Sequence, residues 1–257
     1  MKQDNIMKTS LVLRTCRADL TSRNGFQWAG VGGVTTAHDW KDNNKCGDGL
    51  HGWLYGAGDH SCSSYLDADS VWMVLEVVTS DIIMLGGKCK FPSAKTVFVG
   101  GRKDSAEYLL ANEPHSAHVE IIGRVAAVGD DQSLIGGAMS VLTGGYRSTL
   151  TGGHGSTLTG GHGSTLTGGN DSTLTGGDGS TLTGGHGSTL TGGDGSTLTG
   201  GHGSTLTGGD GSELRVRHWD AKANRYRTEI AYVGEGGIKS GTPYRLCKNN
   251  KFMEVQS

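Results

Sequence analysis

The sequence predicts an α+β N-terminal domain followed by a β-solenoid (β-helix) of 16-residue coils with a small C-terminal cap. Three observations predict this fold class. The octad Ser-Thr-Leu-Thr-Gly-Gly plus two variable residues recurs from about residue 148 to 209. Large apolar residues concentrate before 113 and after 215, and most of the 46 glycines follow residue 129. Self-similarity at a short fixed period is the signature of stacked coils.

These observations divide the chain into three expected parts. We expect an α+β domain over 1–117, a solenoid over 118–214 and a C-terminal cap over 215–257. Within the solenoid, the more apolar residues 118–142 are expected to form N-terminal capping coils, because exposed sheet edges need covers.

The first part contains segments typical of both strands and a helix. Residues 104–113 predict a helix with Asp104 or Ser105 as its N-cap and an end before Pro114. The glycine-rich residues 47–59 predict a loop. Segments rich in β-branched and apolar residues predict strands at 10–16, 70–78 and 96–100, and two more within 82–99 joined through Gly86-Gly87.

Each octad of the repeat suits one short strand and one corner. Leucine occupies the same slot every eight residues from Leu134 to Leu214. Because a strand alternates faces, an inward Leu150 places Thr149 and Thr151 outward. The corner glycines are expected to adopt backbone dihedrals that only glycine adopts at low energy. Two octads then close one coil around a thin leucine ladder, which only stacking can stabilise.

The outward strand positions of the eight full Thr-Leu-Thr units are all threonine, four rungs on each of two faces. Surface strands usually include charged residues for solubility. Threonine is also simply a good exposed β residue, and recent duplication would also explain the uniformity. A charge-free grid of methyls and hydroxyls, however, suits the binding or templating of ice. The predicted ice-binding residues are Thr149, Thr151, Thr157, Thr159, Thr165, Thr167, Thr173, Thr175, Thr181, Thr183, Thr189, Thr191, Thr197, Thr199, Thr205 and Thr207.

Composition argues against several classes of protein. The formal net charge is −2 and no long basic run occurs, so no nucleic-acid partner is expected. Five cysteines without a CxxC spacing favour free thiols in a reduced compartment. No stretch approaches the ~20 apolar residues of a membrane helix. We therefore expect no transmembrane segment, and residues 1–20 lack the apolar core of a signal peptide.

No enzyme motif occurs, so we expect neither catalytic residues nor a cofactor. The corner residues fall into two columns, and imidazoles stacked within a column could share a metal. Polar corners that keep the edges soluble are the simpler interpretation, and no metal site is expected. The columns are His154, Asn170, His186 and His202, and Tyr146, His162, Asp178, Asp194 and Asp210.

The residues of the first domain that could be reactive are interpreted as structural or surface residues. Cys16 lies near Arg14, but burial in a strand is favoured over a reactive thiol. The histidines and acids His38, Asp39, His51, Asp59 and His60 follow no spacing rule and are interpreted as surface-loop residues. The core is expected to hold Trp28, Trp40, Trp53 and Trp72.

The repeats resemble those of bacterial ice nucleation proteins, most closely in GGYRSTLTGG (144–153) and GGNDSTLTGG (168–177). The flanking segments are similar as well, in the family's order and over nearly the whole chain. RHWDAKANRYRTEIAYVGEGGIKSGTPYRL (217–246) resembles the family's C-terminal cap. Four segments resemble the family's N-terminal domain: LVLRTC (11–16), GLHGWLYGAG (49–58), VWMVLEVVTSDII (71–83) and KFPSAKTVFVG (90–100).

The resemblance implies an ice-binding repeat protein at an outer membrane or cell surface, although a cytoplasmic location stays open, and strong nucleation would need self-association or many copies. The departures from the family concern size and assembly. The array has about five coils instead of dozens, and the Pro/Thr-rich linker is nearly absent. Tyr146 is the one corner tyrosine, and the family's Arg-bearing coils shrink to Arg215 and Arg217. A small template stabilises a small ice embryo, so we expect a weak nucleator as a monomer.

Two other interpretations stay open at this point. The repeats could be a structural or adhesive spacer of a surface or viral fibre, in which array length matters and threonine identity does not. Alternatively, the N-terminal domain could be the active binding module, with the repeats as its stalk.

Overall fold

The computed structural model describes residues 8–256, so residues 1–7 of the expected first domain and Ser257 of the expected cap lie outside the described residues. The chain divides into two compact units with their boundary between Arg124 and Val125. The first unit is α+β and the second is a β-solenoid, so the predicted fold class is confirmed.

The first unit is built on one antiparallel sheet of seven strands. These are β1 (Thr9–Cys16), β2 (Val34–Thr36), β3 (Leu50–Leu54), β4 (Val71–Val78), β5 (Ile83–Met84), β6 (Cys89–Phe91) and β7 (Ser93–Gly100). Their order is β2-β7-β4-β1-β3-β6-β5. The helix α1 (Arg102–Asn112) follows β7, and 3₁₀ helices lie at Arg23–Gly25, His60–Cys62, Thr79–Asp81 and Pro114–His118. No helix within residues 8–256 combines the length and apolar character that a membrane crossing requires.

Both faces of this sheet are covered, which explains why β1 and β4 are nearly continuous apolar runs. Leu13 and Trp72 pack on one face with Leu109 of α1. Trp28 and Phe91 pack on the other face. Three of the tryptophans expected in the core, Trp28, Trp53 and Trp72, are buried, whereas Trp40 is half-buried.

The helix begins earlier than predicted. Its N-cap is Gly101, without a side-chain cap, and Asp104 lies in its first turn. Ser105 is not the N-cap because it lies inside α1, where its amide donates to the Gly101 carbonyl at 3.0 Å; its buried hydroxyl donates to the Trp72 carbonyl at 3.1 Å. The predicted end before Pro114 is confirmed, since α1 ends at Asn112.

The prediction of a loop over 47–59 was wrong in its centre, which forms β3. Gly52 lies in the middle of this strand, where a Cβ would stand 2.7 Å from the Leu13 carbonyl oxygen of β1. Glycine therefore permits the close approach of two strands here, and does not mark a turn.

Residues 118–124 belong to the first unit, although the solenoid was expected to begin at 118. Ile121 and Ile122 are buried in the same core as Leu109, and the Ile122 amide donates to the Gly56 carbonyl at 2.9 Å. The first coil of the solenoid starts with the strand at Val125.

The solenoid stacks its strands in two sheets. Sheet A contains β8 (Val125–Val128), β10 (Val141–Gly144), β12 (Thr157–Thr159), β14 (Thr173–Gly176), β16 (Thr189–Gly192), β18 (Thr205–Gly208), β21 (Tyr244–Leu246) and β22 (Phe252–Glu254). Sheet B contains β9 (Ser133–Ile135), β11 (Thr149–Thr151), β13 (Thr165–Thr167), β15 (Thr181–Thr183), β17 (Thr197–Gly200), β19 (Glu213–Asp220) and β20 (Arg225–Tyr232).

Neighbouring strands are parallel and offset by one coil from β8 to β18 in sheet A and from β9 to β19 in sheet B. Thr149 pairs with Thr165, and Thr157 pairs with Thr173, which confirms two octads per coil. The solenoid has about six coils, where the sequence predicted about five. The difference arises because β8 and β9 form a coil although they lack the Thr-Leu-Thr repeat.

The leucine slot forms the core predicted from the sequence. Every leucine of the slot from Leu142 to Leu214 is fully buried, and Leu134 at the first coil is 8% exposed. At the other end Val233 and Tyr244 join the same cluster, where β19 pairs with β20 and β18 pairs with β21, both antiparallel.

The paired glycines of each corner are required for space, whereas the unusual dihedral predicted for the corner belongs to its last residue. A Cβ on Gly176 would lie 2.7 Å from the Ser180 Cβ, and one on Gly177 would lie 2.8 Å from the His162 backbone nitrogen. The left-handed residue is the last one of the corner, such as Gly179 with φ 63°. In other coils Asp171 holds this position with φ 55°.

This geometry predicts opposite outcomes for two substitutions in one corner. Gly176→Ala should lower the free energy of unfolding by about 1–3 kcal/mol, because it forces atoms into a filled interior. Gly179→Asn should change it by less than about 0.5 kcal/mol, since asparagine tolerates the left-handed region and nothing lies near a Cβ there. Urea denaturation of both variants measures the difference, and equal destabilisation would contradict the assignment.

Candidate functional site

The sixteen predicted threonines lie on two surfaces, one on each sheet of the solenoid. Eleven of them are exposed, and Thr151, Thr197, Thr199, Thr205 and Thr207 are half-buried. We call the threonines of β12, β14, β16 and β18 face A and those of β11, β13, β15 and β17 face B. The structure thus brings the predicted residues together as four rungs per face, as the repeat indicated.

Exact register makes each face a regular lattice. Every threonine pairs with its equivalent one coil away, as in Thr175 with Thr191 on face A and Thr167 with Thr183 on face B. Neighbouring rungs are therefore about 4.8 Å apart, and the two threonines of one rung are about 6.7 Å apart. No charged side chain interrupts the four rungs of either face.

A ladder of buried serines holds the coils in this register. Ser196 is 1% exposed, its Oγ accepts from the Ser180 amide at 3.2 Å, and the same hydroxyl donates to the Gly177 carbonyl at 3.2 Å. Other coils repeat the donation, for example from Ser188 to Gly169. The serine hydroxyls thereby satisfy polar groups that the thin core would otherwise leave unpaired.

The corner residues have a structural role that the sequence analysis missed. The Asp178 Oδ1 accepts from the Asp194 amide at 3.0 Å, and the Asp194 Oδ1 accepts from the Asp210 amide at 2.8 Å. In the other column, the Asn170 Oδ1 accepts from the His186 amide at 2.9 Å. The signal was present in the sequence, because side chains able to accept from the backbone recur at 16-residue spacing.

Charged and larger side chains mark the ends of the lattice. On face B, the rung after Thr197 and Thr199 carries Glu213 and Arg215, joined by two hydrogen bonds of 2.8 and 2.7 Å. The Arg215 guanidinium holds the pKa of the Glu213 carboxyl below its usual value. At the opposite end of the same sheet, Ser133 and Ile135 precede Thr149 and Thr151. The charge-free area of face B therefore ends at Glu213 and Arg215 on one side, and on the other side it includes the uncharged Ser133 and Ile135.

Face A has different neighbours at its two ends. Val141 and Thr143 precede Thr157 and Thr159 in register, and they are uncharged. At the other end the antiparallel strand β21 contacts β18 through the pair Leu206–Tyr244. Val125 and Ala127 of β8 precede these two in turn, so the uncharged surface of face A extends two rungs beyond its full Thr-Leu-Thr units.

The remaining candidates do not assemble into a second site of known type. No group of three or more His, Cys, Asp or Glu side chains is placed to hold a metal in the described part of the chain. Burial raises the pKa of the Cys16 thiol to about 11, although Arg14 opposes the shift. His38, Asp39 and Asp59 are exposed. The interpretation of His51 as a loop residue was wrong, since it lies half-buried in β3.

An α+β unit followed by a solenoid with two charge-free threonine faces defines a β-solenoid repeat protein. The family described as a domain of unknown function, DUF7666, matches residues 10–111. The predicted resemblance to ice nucleation proteins is confirmed over the N-terminal region of about 110 residues. No solved structure matches the chain.

Three relatives illustrate the similarity. The ice nucleation protein of Xanthomonas campestris pv. translucens is 47% identical over 111 residues, which are 42% of this chain and 7% of that protein. The one of Pseudomonas syringae is 36% identical over 110 residues, 42% of this chain and 9% of that protein. Ice nucleation protein InaU of Pantoea ananas is 34% identical over 112 residues, which are 43% of this chain and 10% of that protein. The matched region thus spans a tenth or less of these relatives.

The serine ladder makes a specific prediction about stability. Ser196→Ala should lower the free energy of unfolding by about 1–3 kcal/mol, because the Ser180 amide and the Gly177 carbonyl lose their buried partner. Thr191→Ser in the same coil serves as the control and should change it by less than about 0.5 kcal/mol, since this threonine is exposed. Thermal and urea unfolding followed by circular dichroism compare the two, and an unchanged Ser196→Ala variant would show that the ladder is dispensable.

Proposed function

We propose that this chain is a non-enzymatic, ice-binding repeat protein of the ice-nucleation type, whose two threonine faces order water. The observation that carries the proposal is the uninterrupted, in-register threonine lattice. Each hydroxyl can anchor a water molecule, while each methyl favours caged water beside it. The similarity of the N-terminal region to ice nucleation proteins supports the same function.

The size of the lattice limits its activity. Four rungs per face stabilise a small ice embryo, so a single chain is expected to bind ice better than it nucleates ice. Self-association or many clustered copies would enlarge the template. By the same resemblance we propose a location at the outer membrane or cell surface, and we propose that residues 215–257 act as the cap of the solenoid.

The proposal predicts that a charge in the centre of each face removes activity. Thr175→Lys disrupts face A and Thr183→Lys disrupts face B, and both residues are exposed. Each single variant should weaken ice shaping and lower the droplet-freezing temperature, and the double variant should lose both activities. The reason is that a long, hydrated ammonium group cannot occupy a flat lattice of ordered water.

A matched control separates charge from lattice disruption. His186→Lys adds the same side chain at an exposed corner of the same solenoid, outside both faces. This variant should keep wild-type ice shaping and droplet freezing, and circular dichroism should show that all variants remain folded. A folded Thr175→Lys/Thr183→Lys protein with wild-type activity would rule out the threonine lattice as the ice-binding site.

Replacing all sixteen threonines by serine tests the methyl groups and the spacer alternative together. Ice binding should fall strongly, because serine keeps the hydroxyls but removes the methyls that complete the lattice. Unchanged activity would show that the methyls are not required. If the wild-type protein lacked ice activity altogether, the repeats would be a structural or adhesive spacer.

A further inference from the structure

The first unit contains a small cavity at the point where β1 and β3 stop pairing. The two strands pair at Val12–Leu54 and Leu13–Trp53. One residue further along β1, the Arg14 side chain turns to β3, and its Nη1 donates to the His51 carbonyl at 2.8 Å. The cavity has a volume of about 20 Å³, and its lining includes Arg14, Thr15, His51, Ser63 and Lys88.

Two polar atoms of the cavity lining are buried and lack a hydrogen-bond partner. They are the Nε of Arg14 and the Nε2 of His51. Buried polar groups are nearly always paired, and an orphaned one has a free-energy cost. Two such atoms on residues that line one cavity make it a candidate site for a ligand atom.

The cations beside the cavity make no ion pair with a carboxylate in the described residues, although Asp39 and Asp59 act on His51 and Cys62 from a distance. The Arg14 guanidinium lies 4.8 Å from the centre of the Trp28 ring, and neither Arg14 nor Lys88 forms an ion pair with a carboxylate in residues 8–256. The Nζ of fully buried Lys90 donates to the Lys41 carbonyl and the Asn43 side-chain oxygen, both at 3.0 Å, and lies 5.3 Å from the centre of the Trp40 ring. Buried cations that no carboxylate contacts are unfavourable, so the site favours an anion.

His51 adds a neutral donor to this cationic site. Burial, together with the charges of Lys88 and Arg14, lowers the pKa of the imidazole to about 4. The ring is therefore uncharged at neutral pH, and its tautomer protonated at Nε2 can donate to a ligand oxygen.

We propose that this cavity binds one oxyanion group, a phosphate or a carboxylate, independently of the threonine faces. One ligand oxygen enters the cavity and accepts from the Arg14 Nε–H and the His51 Nε2–H, and Lys88 neutralises the group at the mouth. A single water molecule would also fit, because a site of about 10–15 Å³ holds one. Water would satisfy the two donors but would bring no negative charge to Arg14 and Lys88.

Thermal unfolding of the full chain tests the proposal at constant ionic strength. Sodium phosphate, methyl phosphate and sodium acetate are titrated against sodium chloride. A ligand that binds only the folded state should raise the Tm saturably. A response to phosphate and methyl phosphate assigns a phosphate-bearing ligand, and a response to acetate alone assigns a carboxylate. Either result supports the oxyanion site.

Lysine variants provide the matched control. Lys88→Met should weaken the apparent affinity by about tenfold or more, the equivalent of one charge-assisted hydrogen bond. Lys103→Met removes an exposed lysine of α1 that pairs with Glu107 at 3.8 Å, and its response should equal that of the wild type. Arg14→Met should abolish the response. If the Arg14→Met variant unfolds because it also loses the Trp28 contact, the response of Lys88→Met alone tests the proposal.

Two outcomes would overturn the proposal. One is a wild-type Tm that responds to none of the three anions beyond the sodium chloride control. The other is a folded Lys88→Met protein with a wild-type response. In either case the cavity holds water alone.

Discussion

The register between coils is the constraint on which the solenoid depends. A single coil buries only two leucines, which is too little apolar surface to offset the conformational entropy lost on ordering sixteen residues. Leu158 becomes fully buried because Leu142 and Leu174 lie directly above and below it in the same sheet. Stability therefore comes from the contacts between coils, and a slip of one residue would turn every leucine outward.

The same register explains the composition of the corners and of the two faces. Coils can approach to strand-pairing distance only if the corner has no Cβ where Gly176 and Gly177 meet their neighbours. The third corner position is free for side chains that accept hydrogen bonds from the backbone of the next coil, as Asp178 does. Because glycine, serine and leucine fill the interior, the outward threonines are the only strand residues that can differ without disturbing the stack. Their uniformity is therefore difficult to attribute to folding.

Periodicity made the solenoid predictable, whereas the parts of the chain without a repeat were not predictable in the same way. A step of eight places Leu150 inward and Thr149 outward whatever the rest of the chain does. Capping coils were expected from residue 118, but their start at Val125 was not predicted, because Ala126 and Val128 pack against the leucine cluster without repeating its sequence. In the first unit, Gly52 resembles a turn residue until the position of Leu13 is known. The cavity beside His51 depends on where two strands part, which no local pattern reveals.

Nearest-neighbour stacking also separates what determines folding from what determines function. In a quasi-one-dimensional protein each added coil contributes its own interface, so stability per coil is set locally and the array can lengthen without redesign. The area of the charge-free faces, by contrast, grows with every coil until a charged rung such as Glu213 and Arg215 ends it. Selection on the ordering of water would then act on coil number and on the position of that rung. Selection on folding would act on the glycine, serine and leucine positions, so the two can vary independently.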